Sequence, residues 1–511
     1  MRATLRHCLV LLLSAGLAYA QSSEQRTSLY FERVRKQPQL LLPFLRDMPK
    51  GGDLHNHLYG AIYAEDLVDF AADGQLCVDR TSSRLLPGPC DPCENYTAKP
   101  AARCAYADQV LYNQMIDAWS MRNWGRGDDS GHDHFFASFD KFGLAADTHL
   151  AGALAASINR AAMDHLQYVE IMHTADGGRA AQLAAKVEWT PDHDKDYAKM
   201  RDALLAAGMK DVAAETSKRL TADESRVKEI LKCGTADAAP GCGVTVRYLY
   251  QVLRGLPHQI VFAQILLGFE LASSDPRFVG FNLVMPEDWY VPIHDFNEHM
   301  AMIDYLHSVY PKVHITLHAG ELAMGLVPPE DLTFHIRASI ERGHAERIGH
   351  GVSVMNETDP IALLHEMADR NVLVEICLTS NDVILGVSGD DHPLPIYMKY
   401  GVPVALATDD EGVSRSDLTH EYLRAVESYR LSYADLKRMA RQSLEHSFLP
   451  GQSLWTDTKL VFRMTPACVG DAPGADKEKP SASCQQFLAA SERARMQWKL
   501  ESEFARFEKK Y

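Results

Sequence analysis

Eight short apolar runs, each ending in polar or ionisable residues and separated by helix-like stretches, restrict most strongly what this chain can fold into. They are Gly52–Leu58, Gln167–Met172, Val244–Tyr250, Phe278–Val284, Val313–His318, Arg347–Gly351, Val372–Leu378 and Val402–Thr408. Near-continuous apolarity suits parallel strands buried on both faces. Eight of them alternating with helices point to an α/β fold, a (β/α)8 TIM-type barrel. A doubly wound open sheet is the alternative, but no G-x-G-x-x-G or phosphate loop follows any run, which removes the usual reason to prefer it. The 511 residues accommodate one barrel with insertions. Residues 71–135 form a loop-rich, cysteine-bearing insertion after the first strand, with a Leu86-Pro87-Gly88-Pro89 stretch. A second, helical insertion lies between strands two and three, with helices expected at Tyr197–Ala207 and Ala222–Lys232. The barrel itself is expected over 48–450, after an N-terminal helical arm at 21–47 and before a C-terminal extension at 451–511 that ends in a charged helix, Ala489–Tyr511.

Residues 1–20 read as a cleaved signal peptide. Arg2 and Arg6 precede the apolar run Leu9–Leu13, and Ala18-Tyr19-Ala20 is a small-residue cleavage site. The run is too short to anchor a membrane, and no later segment is apolar for long enough to span one. The expected location is therefore secreted or periplasmic. Losing two arginines and no acid takes the net charge of −16 further negative. So acidic a surface repels phosphate backbones and anionic lipid, which argues against nucleic-acid and membrane-surface partners. Cysteine usage agrees with export. Cys8 leaves with the signal and Cys377 reads as a buried free thiol. Cys77, Cys90, Cys93 and Cys104 cluster, Cys233 lies near Cys242, and Cys468 near Cys484. An even number in local groups suggests disulfides, with the last two pairs natural partners and the pairing of the first four open.

The chemistry-bearing residues fall at the strand ends. His55 and His57 are two apart on a strand, so both imidazoles can face one interior and share a metal. Among 22 histidines about one H-x-H is expected by chance, and a second, His132-Asp133-His134, reads as incidental. The pair gains meaning from its company: His318-Ala319-Gly320-Glu321 after the fifth strand, His350 after the sixth, and Asp409-Asp410 after the eighth. Gly320 lets the backbone turn and bring Glu321 back to the mouth. Ionisable residues thus gather at the C-terminal ends of four strands, where barrel active sites lie.

The order H-x-H, H-A-G-E, R-I-G-H-G and T-D-D resembles the adenosine deaminase family of metal-dependent amidohydrolases, most closely its secreted branch, the adenosine deaminase-related growth factors. Met48-Pro49-Lys50-Gly51, Tyr168-Val169-Glu170, Gly280-Phe281-Asn282-Leu283, Val374-Glu375-Ile376-Cys377 with Thr379-Ser380-Asn381, and Leu418-Thr419-His420-Glu421-Tyr422 extend the similarity across roughly 48–450. The resemblance implies one zinc ion held by His55, His57, His318 and Asp409, which would lower the pKa of a water towards neutrality. It implies that Glu321 protonates the ring nitrogen beside the reacting carbon and that His350 orients the water and helps to deprotonate it. Asp410 would hydrogen-bond another ring nitrogen. The implied reaction converts adenosine, and 2′-deoxyadenosine, to inosine and ammonia. Two positions depart from the family. Tyr59 stands where intracellular deaminases carry an aspartate that contacts the sugar, and Met285 stands where a glycine approaches the purine. Both are expected to bear on substrate binding. The aromatic stretch Trp119–Phe139 is a candidate cover for the pocket.

Other readings follow from particular residues. Pro89-Cys90-Asp91-Pro92-Cys93 and His344-Ala345-Glu346 match the halves of a cytidine-deaminase zinc signature, but in the wrong order and far apart, so Cys90 and Cys93 are better read as disulfide partners. Tyr59 and Met285 keep open a sister amidohydrolase acting on another aminopurine or a modified nucleoside. A non-catalytic, growth-factor-like adenosine binder would not need Glu321 and His350 together. A two-metal phosphoesterase or amidase would want a bridging group, and Glu170, the nearest candidate, reads as structural. No basic cluster marks the strand ends for a phosphate. The helical stretch Ser22–Leu45 is a candidate contact arm for a homodimer, as such arms are in the secreted branch.

Overall fold

The computed structural model describes residues 21–93, 96–126, 129–188, 196–459, 461–474 and 479–511; the expected signal peptide lies outside them. Its main sheet has eight parallel strands: β1 (Gly51–His57), β2 (Leu166–His173), β3 (Thr245–Leu253), β4 (Phe278–Val284), β5 (His314–Ala319), β6 (Arg347–His350), β7 (Leu373–Ile376) and β8 (Val404–Leu406). They lie side by side in chain order. An open doubly wound sheet would reverse its order at a switch point; this one does not. Instead it closes on itself. The Asp409 N–H, just past β8, donates to the His55 carbonyl at 2.8 Å, and the His57 N–H donates to the Asp409 carbonyl at 3.2 Å. The (β/α)8 barrel expected from the eight runs is therefore what the chain forms. The last two strands are shorter than their apolar runs. Cys377 already caps the helix Leu378–Leu385, and β8 begins only after Pro403, which has no N–H to donate.

The insertion after β1 contains a small antiparallel pair, Cys77–Val78 with Leu85–Leu86. It is tied by the disulfides Cys77–Cys90 and Cys93–Cys104, so Cys90 and Cys93 are both bonded, though not to each other. Cys233–Cys242 and Cys468–Cys484 pair as their proximity suggested, and Cys377 is free and buried. Between β2 and β3 the expected helices are Tyr197–Ala206 and a longer Met209–Ile230. The terminal helix is two, Ala482–Ala490 and Glu492–Lys510, divided where the Ser491 hydroxyl caps the second. The N-terminal arm is likewise two helices, Ser23–Val34 and Pro38–Asp47. Their Phe31 and Phe44 pack with Tyr433, Phe507 and Tyr511 in one aromatic cluster. The apolar face of the arm is thus used against this chain's own C-terminal helices. Among the described residues no helix is long and apolar enough to cross a membrane.

The cysteine pattern has a direct check. A thiol reagent added to a chain beginning at residue 21 should label no cysteine in the native state and Cys377 alone in denaturant without reductant. Two or more labelled thiols in denaturant would contradict the pairing.

Candidate active site

At the C-terminal mouth the Nε2 atoms of His55 and His57 lie 3.1 and 3.2 Å from Nε2 of His318. Asp409 Oδ1 is 3.5 and 3.3 Å from the first two. Each ring's other nitrogen meets an acceptor: Glu375 Oε2 at 2.7 Å from His55 Nδ1, Gln251 Oε1 at 3.1 Å from His57 Nδ1, and Asn282 Oδ1 at 2.9 Å from His318 Nδ1. The Asn282 oxygen also accepts the His318 N–H, which fixes the orientation of that amide. These acceptors keep the ring protons on Nδ1, so three Nε2 lone pairs converge beside a carboxylate. Lone pairs cannot satisfy one another; a divalent cation can satisfy all of them. Ligands roughly 2.0–2.1 Å from a tetrahedral zinc sit about 3.3 Å apart, close to the spacing found, so the donor set fits the implied metal.

The electrostatics agree. Burial opposes charge on His55, but hydrogen bonds to Asp409 and Glu375 outweigh it and push the ring up to about 10; a positive charge is wanted here. Burial also works against an ionised Asp409, yet His55, His350 and His57 together hold it far below the usual carboxylate range. The same four donors lie within 4.8 Å of one another, and so do His55, His350, Cys377 and Asp409. The second group is the weaker candidate, because burial and nearby carboxylates push the Cys377 thiol well up and keep its proton on.

Glu321 follows a sharp turn. Gly320 has φ +71°, and a Cβ there would come within 2.8 Å of Ile336 and 2.9 Å of Ser353. Glu287 braces the turn by accepting the Gly320 N–H at 3.1 Å and the Glu321 N–H at 2.8 Å, while His335 Nδ1 meets its first oxygen. Although burial works against it, Glu287 is held at about 2 by His335 and Arg254. Burial, and then repulsion from Asp409 and Glu287, raise Glu321 well above an ordinary carboxyl. The surroundings of Glu321 therefore favour its protonated form. Asp410 is raised in the same way, by burial and Asp409, and its Oδ1 has no hydrogen-bond partner among the described residues.

His350 is oriented by a chain that starts at a donor which cannot be reversed. The Leu394 backbone N–H donates to His392 Nδ1 at 3.1 Å, so His392 carries its proton on Nε2 and donates to Asn381 Oδ1 at 3.1 Å. The Asn381 amide then donates to His350 Nδ1 at 2.9 Å. Burial lowers His350 to about 3, so the ring is neutral, and its one proton sits on Nε2. That atom lies 3.7 Å from Glu321 Oε1 and 3.9 Å from Asp409 Oδ2. The preceding residue of the same motif, Ser380, donates to Asp409 Oδ2 at 2.6 Å. Asp409 and His350 both hold left-handed backbone, at φ +58° and +67°, a strain that residues other than glycine accept where the surroundings enforce it.

The structure gathers every residue singled out at the strand ends. A cavity of about 310 Å³ is lined by His57, His318, Glu321, Asp409, Asp410 and Met285, and is walled by Phe135, Phe136 and Phe139. Trp119 is not part of that wall; it is fully buried and donates to Ser83 O. Met285 has φ +88°, the left-handed backbone a glycine would hold without strain, and its side chain lies against Gly255. Tyr59 lies outside this cavity and hydrogen-bonds Asp147. The incidental pair is structural, with His132 on Asp288 and His134 on the carbonyls of Asp117 and Ser120. Glu170 is structural too, bonded to Arg347, Tyr168 and the Phe448 N–H. Glu287, Arg254, His392, Gln251 and Asp147 escaped sequence reasoning. Ser380, Asn381, Glu375 and Asn282 did have a signal, as members of the Thr379-Ser380-Asn381, Val374-Glu375-Ile376-Cys377 and Gly280-Phe281-Asn282-Leu283 motifs.

Residues 211–455 match the family described as adenosine deaminase. Adenosine deaminase of Escherichia coli (strain SMS-3-5 / SECEC) is 37% identical over 140 residues, which are 27% of this chain and 39% of that relative. The chain thus spans 39% of the length of the curated relative it matches. Among solved structures, adenine deaminase from Arthrobacter aurescens aligns with a TM-score of 0.48 at 17% identity, covering 79% of this chain and 94% of that one. The N6-methyl-AMP deaminase from Arabidopsis thaliana aligns with a TM-score of 0.49 at 19% identity, covering 80% and 94%. The barrel mouth brings a donor set that could hold a metal ion beside a buried carboxyl. The resemblance to the adenosine deaminase family holds over the stretch that carries His318, Glu321, His350 and Asp409.

Two substitutions test the supports of the site. Glu375→Gln should weaken zinc affinity by about 10- to 100-fold in a chelator competition; unchanged affinity would show that the His55–Glu375 contact does not tune the site. Asn381→Asp should draw the His350 proton to Nδ1 and lower kcat at least about tenfold with Tm little changed. Full kcat in that variant would mean the tautomer is immaterial.

Proposed function

We propose that this chain is an exported zinc enzyme that hydrolytically deaminates adenosine and 2′-deoxyadenosine to inosine and ammonia. One observation carries the reading: Glu321, a carboxyl whose surroundings favour its protonated form, and a converged set of candidate metal donors meet at the same apolar-walled cavity. The adenosine deaminase relatives from Escherichia coli support the substrate class, and the four disulfides support an oxidising compartment.

A zinc ion on His55, His57, His318 and Asp409 would supply Lewis acidity that makes water a nucleophile at neutral pH. The protein does the rest. An aromatic carbon resists attack until the adjacent ring nitrogen gains a proton, and Glu321 holds that proton in reach of the cavity. Asp410, whose protonated form is favoured for the same electrostatic reason, donates to a second ring nitrogen and sets the orientation of the base. His350 offers its Nε2 N–H as a hydrogen-bond donor and fixes the position of the attacking oxygen; of the two protons that oxygen gives up, one replaces the proton Glu321 leaves on the ring nitrogen and the other completes the departing ammonia. Phe135, Phe136 and Phe139 cover the ring and keep bulk water away.

Steady-state rates on adenosine, 2′-deoxyadenosine, adenine and AMP are the direct assay. Release of ammonia from the two nucleosides is expected; negligible turnover of both would overturn the reading. Glu321→Gln should lower kcat by about 10²- to 10⁴-fold with zinc still bound. Wild-type activity in that variant would remove Glu321 from the role of acid.

A further inference from the structure

At the opposite end of the barrel from the metal donors, where β5, β6 and β7 begin, lies a cavity of about 570 Å³. Its charged lining comes from separate parts of the chain. Lys312 precedes β5, Arg370 follows the helix Pro360–Asp369, and Arg493 lies in the first turn of Glu492–Lys510, within the C-terminal extension. Arg370 spends two nitrogens on Glu366 Oε1 and the Ile340 carbonyl. Arg493 donates from Nε to the Leu449 carbonyl at 3.2 Å. Among the described residues its two terminal nitrogens have no hydrogen bond, and Lys312 has neither a hydrogen bond nor an ion pair. The carboxyls of the lining are already engaged, Glu346 by His314 Nδ1 at 2.8 Å and Glu445 by the Ser453 hydroxyl and the Gln497 amide. Arg347, also at the cavity, is balanced by Glu170 and Glu375. Arg493 and Lys312 have no carboxylate in such contact. The positive field is felt by His446 in the same lining, which burial, Arg347 and Arg493 push down to about 3.

We propose that this basal cavity binds a small anion through its phosphate group, with Arg493 and Lys312 supplying the charge and the Asn371 amide a further donor. The site goes beyond the deamination reading and stands without it. On a chain with a net charge of −16, two cationic side chains at one cavity without a carboxylate in contact are an exception. Together they match the charge of a phosphate dianion. A guanidinium offers parallel N–H donors and an ammonium a compact point charge, the two modes in which side chains hold phosphate oxygens. Asn371, just before β7, directs one amide N–H towards His446 Nε2 at 3.5 Å and has a second to give. Donors that reach in from the starts of two strands and from the C-terminal helix surround a tetrahedral group better than a planar carboxylate. The cavity is larger than a phosphate group and leaves room for the remainder of a phosphate ester. A bound anion would tie the C-terminal extension to the floor of the barrel, so its binding also stabilises the fold.

Calorimetry on the whole protein with inorganic phosphate and with glycerol phosphate, against chloride at matched ionic strength, tests this. Both ligands should bind. Arg493→Gln should weaken them by about 10- to 100-fold, Lys312→Gln by less, and the double variant should bind neither. Arg493→Lys, which keeps the charge, should recover part of the loss. Tighter binding of the ester would identify an esterified ligand and tighter binding of the inorganic ion a free one; both are the assigned chemistry. Phosphate should raise the Tm of the wild-type protein and leave that of the double variant where chloride puts it. Lys312 is exposed, so its variant keeps the test open if Arg493→Gln loses stability. No binding beyond the chloride control would overturn the site, and so would equal phosphate affinity in the wild type and the double variant.

Discussion

The barrel closes through residues of its candidate metal site. The two hydrogen bonds that join the end of β8 to β1 run between Asp409 and the backbones of His55 and His57. Three of the four donor side chains therefore belong to the residues that close the sheet, and their spacing is set by backbone geometry. The left-handed conformation of Asp409 follows from the same constraint: its backbone must pair with β1 while its carboxylate turns inward, where Ser380 holds the outer oxygen. Closure and ligand placement are one event, which explains how four side chains from β1, β5 and β8 meet without a flexible loop between them.

Beneath the donors lies a charged network that the barrel interior tolerates because it is fully paired. Arg347 is completely buried and bonds Glu170 and Glu375 at 2.6 Å each. Glu375 passes that order to His55. A buried arginine left without its partners would cost about 3–5 kcal/mol, so the network fixes the ring of His55 as firmly as it fixes the strands. The same economy of parts recurs on the acid side, where Glu287 both stitches the Gly320 turn and raises the proton affinity of Glu321. Positioning and pKa are set by the same carboxylates.

How much of this could be read in the sequence depended on the range of the interaction. The eight strands were legible because strands buried on both faces write continuous apolar runs, and β7 and β8 came out shorter by the most, for the local reasons of a helix cap and a proline. The metal and acid residues were legible because they sit at the ends of those runs. The pairing of Cys77, Cys90, Cys93 and Cys104 was not, since four cysteines allow three arrangements and neighbours in sequence need not bond. Glu287 is 34 residues from the N–H it braces, and Asp147 is 88 from Tyr59; neither carries a motif, and each has a role only through the fold.

The central claim is that the closing residues of the barrel hold one zinc ion. Elemental analysis of the purified full-length protein and of Asp409→Ala, after dialysis against a weak chelator, tests it most directly. The account predicts one zinc per chain in the first and a large loss in the second. Equal zinc in both proteins, or none in the first after exposure to zinc, would contradict it.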